Sequence, residues 1–204
     1  MIRNLANRFP VTITVSLLAL LIHFVPVLNE WLQLDFDAVA NGQWWRVWTG
    51  HVTHFGGEHL FWDLLMFMGL AGACEQLRPR QIVPALILMA GGISLAVQWF
   101  CTDVATYRGL SGIDTGLFVW FAGMRLVASV NARDLATGLL WALPSVGLVG
   151  KLLYEAVTGQ TLFVDSSGFV PLVTAHLAGV VIGLMLCLAD LSPAWRFKRL
   201  VETA

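Results

Sequence analysis

The stretch Gly109-Leu110-Ser111-Gly112-Ile113-Asp114-Thr115-Gly116 opens an apolar run that continues to Val130, and it decides how this chain is read. Its counterpart is Ala175-His176, which leads into Gly179 and Gly183 within a second apolar run. A serine and a histidine therefore stand where hydrocarbon is expected. Polar groups placed inside a membrane are costly, and their default reading is functional. Serine is a weak nucleophile until a base takes its proton, and histidine is the usual base. Each motif alone is unspecific, since glycine and serine are common in membrane helices and a single buried histidine is more often a packing residue.

Outward from these motifs, the whole chain is apolar. Hydrophobic residues make up 57% of its 204 positions and charged residues 12%, about half the charged share of a soluble domain. A net charge of −1 leaves no broad basic face for nucleic acid. Cys74, Cys101 and Cys187 lie in or at the ends of apolar runs without metal-like spacing, and read as small buried hydrophobes. Six segments approach the roughly 20 helical residues that cross a hydrocarbon core of about 30 Å. They are Val11–Leu28, His59–Leu77, Ile82–Cys101, Ser111–Val130, Leu135–Val157 and Pro171–Leu191. Arg78-Pro79-Arg80, Asn131-Ala132-Arg133-Asp134 and Ser192-Pro193 punctuate them. The first run lacks an A-x-A-like cleavage site and is expected to be a retained helix. A single membrane domain is expected to occupy residues 1–204.

Basic residues set the expected orientation. Arg3, Arg8, Arg78, Arg80, Arg125, Arg133, Arg196, Lys198 and Arg199 gather at alternate ends of the spans, against Arg46, Arg108 and Lys151 on the other side. The positive-inside rule then makes both termini cytoplasmic. Ser111 and His176 enter the membrane from the same, outer side. Small residues at four-residue spacing let helix backbones approach closely, so Gly112 and Gly116 are expected to face Gly179 and Gly183 and bring spans four and six together. The first outward loop, 29–58, carries Trp31, Trp44, Trp45 and Trp48 with Asp35, Asp37 and Arg46. It is expected to be partly helical and to lie in the outer leaflet, although an aromatic belt alone also explains the tryptophans.

Acyl transfer needs donors aimed at the oxyanion of its tetrahedral intermediate, and the Ser111 N–H and the His59 imidazole could supply two. His59 and Asp63 are four residues apart and share a helix face. A metal site formed by His54, His59 and Asp63 is the alternative, but the HExxH pattern is missing and His54 precedes the expected helix start. No metal or cofactor is therefore expected.

Together, Trp45-Arg46, the H-x4-H-x3-D arrangement of His54, His59 and Asp63, Gly-Leu-Ser-Gly around Ser111, and A-H-x-A-G-x3-G across Ala175–Gly183 resemble the rhomboid intramembrane serine proteases. The resemblance runs from about Trp44 to Leu191, in order and on the corresponding spans. It implies an all-α membrane protein, a six-helix bundle, with Ser111 as nucleophile and His176 as general base. It also implies His59 as an oxyanion donor, with Gly109, Asp63 and Asp114 as auxiliary groups, and His54 as a structural residue of the loop. The expected substrate is a membrane-anchored protein cut in or next to its transmembrane segment.

Three positions depart from or extend the pattern. Asp63 stands where most rhomboids have asparagine; an ionised carboxylate cannot donate to an oxyanion, so Asp63 must be protonated, turned away or paired with His59. Thr115 replaces a tyrosine that packs on the catalytic histidine in better-known bacterial members. Asp114 or Asp63 is expected to orient or charge His176, unless Asp114 is structural and paired with Arg108 or lies at a water-filled cavity. Lys151 and Glu155, four apart near the outer end of span five and followed by Gly159, are similar to a pattern in rhombosortases. These are compact bacterial rhomboids associated with substrates bearing a short C-terminal GlyGly-containing tail. An i,i+4 ion pair accounts for the same two residues. That resemblance implies a multi-pass protein of the bacterial inner membrane. A catalytically silent relative that binds membrane clients, and a small transporter, are the other readings; no internal repeat supports the transporter.

Overall fold

The computed structural model describes residues 7–162 and 172–191. The chain runs through α1 (Pro10–His23), α2 (Pro26–Leu32), β1 (Leu34–Asp35), α3 (Phe36–Ala40), α4 (Arg46–Thr49), a 3-10 turn (Gly50–Val52) and α5 (Gly57–Leu77). It continues through α6 (Ile82–Phe100), β2 (Thr106–Tyr107), α7 (Ser111–Ala132), α8 (Leu135–Thr158) and α9 (Val173–Leu191). Helices α5 to α9 are each long and apolar enough to cross a membrane. They coincide with expected spans two to six to within two residues at each end. The expected start of span six at Pro171, the Ser192-Pro193 stop, and Arg3, Arg196, Lys198 and Arg199 fall outside the described residues.

The first span is corrected. Val11–Leu28 is not one helix but α1 and α2, which cross at 114°. Pro26 supplies no N–H to continue the ladder and pushes the preceding Val25 out of the helical region, to φ −119° and ψ 88°. The 14 residues of α1 reach only about 21 Å at 1.5 Å per residue. A sixth span therefore exists only if the bent pair counts as one.

Buried carboxylates tie the helices together. Phe9 offers no side-chain cap to α1, and Glu75 of α5 takes that role. Its oxygens accept the N–H groups of Val11 (2.8 Å) and Thr12 (2.9 Å) and the Thr12 hydroxyl (2.7 Å). These are donors that a helix start leaves unsatisfied, at the end where negative charge is favoured. Asp190 of α9 accepts from Trp120 Nε1 of α7 (3.0 Å) and from Arg78 Nε beyond α5 (3.1 Å).

The expected seam between spans four and six is present. A Cβ on Gly112 would sit 3.0 Å from the Ala175 carbonyl oxygen, and one on Gly116 3.0 Å from that of Gly179. Reciprocally, side chains on Gly179 and Gly183 would collide with the carbonyls of Gly112 and Gly116. α7 and α9 thus pack backbone on backbone. α8 is different: Asp134 caps its start by accepting the Thr137 N–H, Pro144 interrupts its ladder, and only Leu152 and Glu155 are buried.

Candidate active site

Three local structures bring the site together. The first loop is partly helical, as expected, and is gathered around buried Arg46. Arg46 donates to Gln43 Oε1 (2.7 Å) and to the carbonyls of Gln33 (2.8 Å) and Glu30 (3.3 Å). Trp31 and Trp45 pack with ring centres 5.4 Å apart, and all four tryptophans of the loop are exposed. Asp35 caps α3 by accepting the Ala38 N–H. The loop is then stitched to the chain entering α7: β1 pairs antiparallel with β2, Leu34 opposite Tyr107, and the Gly109 N–H donates to Gly50 O.

The turn before Ser111 requires its glycine. Gly109 has φ +117°, and a Cβ there would lie 2.7 Å from His59 Nε2 and 3.0 Å from Asp63 Oδ2. Close approach and left-handed backbone both exclude a side chain at low cost. The Tyr107 hydroxyl donates to the Gly109 carbonyl (3.2 Å). Burial raises the Tyr107 phenol above its ordinary value, so it remains a neutral donor.

Asp63 resolves one of the open alternatives: it is paired. Its Oδ2 accepts the Leu110 N–H at 2.7 Å and lies 3.2 Å from His54 Nε2 and 3.3 Å from His59 Nε2. The backbone N–H donates a hydrogen bond to this oxygen, and both imidazoles lie within ion-pair distance of it. Burial lowers the His54 imidazole from its ordinary value, opposed by the neighbouring Asp63 carboxylate. His54 is locked through its backbone by Asn29, which accepts the His54 N–H (3.1 Å) and donates to its carbonyl (2.8 Å).

Ser111, at the first residue of α7, and His176, in the first turn of α9, line the same cavity of about 890 Å³. His59, Asp63 and Asp114 open onto it too. Its walls come from α5, α7, α8, α9 and residues 103–108, and the first loop contributes Phe55. Arg46 draws that loop in on itself, leaving α8 to form the remaining wall.

The acid beside His176 is also corrected. His176 Nδ1 lies 2.9 Å from Glu155 Oε2, and neither Asp114 nor Asp63 fills that place. Asp63 is held by two histidines and a backbone N–H. Asp114 Oδ1 is buried with no hydrogen-bond partner among the described residues. Its suggested partner Arg108 instead donates to Gln33 Oε1 (2.8 Å) and lies over the Phe55 ring. Glu155 does form the expected i,i+4 pair, with Lys151 Nζ 2.7 Å from Oε1. Reading it as an ion pair alone missed its second oxygen. The available signal was a carboxylate at the same outer level as Ser111 and His176. Asn29, His51 and Tyr107 carried no comparable signal. Thr115 donates to the Ser111 carbonyl within α7 (2.9 Å).

The Rhomboid domain family model matches residues 41–193. This chain belongs to the rhomboid family. A curated relative, the Rhomboid protease GlpG homolog of Cronobacter sakazakii, is 31% identical over 187 residues. The match covers 86% of this chain but 59% of the relative, so the chain spans less than two-thirds of that protein's length. Membership of the rhomboid family, with five apolar spanning helices or six counting the bent pair, makes this a multi-pass, all-α membrane protein.

Proposed function

We propose that this rhomboid is an intramembrane serine endopeptidase that cuts membrane-anchored proteins in or next to a transmembrane segment. The observation that carries the reading is the glycine seam, which brings the starts of α7 and α9 together with Ser111 and His176 on one cavity. With Nδ1 against Glu155, His176 Nε2 is the nitrogen left to take the serine proton. Ser111 Oγ attacks the peptide carbonyl, the imidazolium returns the proton to the leaving amine, and water resolves the acyl-enzyme. The Ser111 N–H, at the positive end of α7, serves the oxyanion, with His59 beside it. A substrate helix must unwind locally, so small-residue segments, which unwind at least cost, are favoured.

The excess of Lys and Arg at alternate span ends supports cytoplasmic termini and a cavity opening to the outer side of a bacterial inner membrane. The Lys151–Glu155 pair and its similarity to rhombosortases support GlyGly-tailed proteins as substrates. A second reading, a silent client-binding protein, draws on Asp63, which engages His59 Nε2 at 3.3 Å where an oxyanion would need that donor.

Liposomes carrying wild type, Ser111→Ala or His176→Ala, mixed with a membrane-anchored reporter, separate the two. Peptidase function predicts cleavage by wild type and a loss of at least about 10³-fold in each variant. Binding of the reporter by all three without cleavage supports the silent reading. A reporter whose Gly-Gly is replaced by Leu-Leu should be cut more slowly if GlyGly tails are the substrates.

A further inference from the structure

The geometry points to Glu155 as the positioning carboxylate of His176, reaching it from a different helix and itself held by Lys151. The inference rests on the Ser111–His176 reading above and adds a third member and a clamp to it. Glu155 is nearly fully buried, and its two oxygens are divided: Oε2 faces His176 Nδ1 at 2.9 Å, and Oε1 faces Lys151 Nζ at 2.7 Å. An ordinary i,i+4 pair sits at the surface and contributes about 0.3–0.5 kcal/mol. A carboxylate withdrawn from water persists only when its oxygens are met by donors or positive charge. Here those partners are the imidazole of His176 and the ammonium group of Lys151.

Each atom has a definite task. Glu155 Oε2 accepts the proton-bearing Nδ1 of His176, which fixes the tautomer with Nε2 unprotonated and directed to chemistry. When Nε2 takes the Ser111 proton the ring becomes cationic, and the fixed negative charge of Glu155 stabilises it. The proton stays on the ring until the amine leaves, so Glu155 is never protonated. Lys151 occupies the other oxygen and keeps Glu155 from turning away from the imidazole. Two other acids of the cavity are otherwise placed, Asp63 beside His54 and His59, and Asp114 without a partner for Oδ1 among the described residues.

The test is inactivation of full-length protein in detergent by a fluorophosphonate, resolved into the maximal rate kinact and the half-saturation KI. Glu155→Gln, which keeps the shape and removes the charge, should lower kinact by about 10²-fold or more with KI and the thermal midpoint little changed. Glu155→Asp, which restores the charge at longer reach, should recover about tenfold or more of that loss. A kinact for Glu155→Gln within about threefold of wild type, or an Asp variant no better than Gln, overturns the inference. Ser111→Ala labelled as fast as wild type would instead defeat the dyad on which it rests.

Discussion

α7 and α8 are neighbours of similar length, yet they are attached to the protein in opposite ways. α7 is half buried and meets α9 through glycines whose missing side chains are replaced by the partner's carbonyls. α8 buries only Leu152 and Glu155, and a Cβ added at Gly147 or Gly150 would meet nothing within 4 Å. Ser111 thus stands on a helix held by backbone packing. Glu155 stands on a helix that packs on α7 through Phe121 and Trp141 and buries little besides Leu152 and that acid. Backbone-on-backbone contact is concentrated where Ser111 is presented, while the wall that α8 gives the cavity buries few of its residues.

The largest effect expected from breaking this contrast is at the seam. Gly179→Ala drives a methyl into the Gly112 carbonyl, where only backbone can give, and should cost about 3 kcal/mol or more, read as a lowered thermal midpoint in detergent. The packed half should also be acid-sensitive. His51 is buried against the Ala90 carbonyl (3.0 Å) and Ser94 Oγ (3.1 Å), and burial lowers it from 6.5 to about 4. The unfolded chain therefore binds the extra proton first. Stability is full above pH 6.5, falls as pH drops from 6.5 towards 4, and levels below, a loss of up to about 3 kcal/mol. His51→Gln should flatten that part of a stability-against-pH curve.

A smaller loss, about 2 kcal/mol, is expected for Gly109→Ala from its left-handed backbone and its approach to His59, together with slower labelling of Ser111. The smallest effect has the opposite sign. Gly147→Ala on α8 meets open space and should stabilise by up to about 1 kcal/mol through helix propensity. Equal losses for Gly179→Ala and Gly147→Ala would erase the distinction between the two helices.

Much of this arrangement is written locally. Glycines at four-residue intervals announced the seam, and the apolar runs gave α5 to α9 because hydrophobic length is a property of each segment by itself. The first span failed where a local signal, Pro26, was outweighed by continuous apolar character. Glu155 was seen with Lys151 because a helix places i and i+4 together. Its contact with His176 joins two helices, and no spacing within one helix encodes that. The same holds for Asp63, whose three partners come from the loop before α5, from α5 itself and from the turn before α7.

The most direct test is to locate the adduct formed by a fluorophosphonate on the purified wild-type protein by peptide mass spectrometry. The structure predicts one adduct, on Ser111, lost in Ser111→Ala and suppressed in His176→Ala. An adduct on another residue, or none on a protein shown to be folded, would contradict Ser111 as the nucleophile.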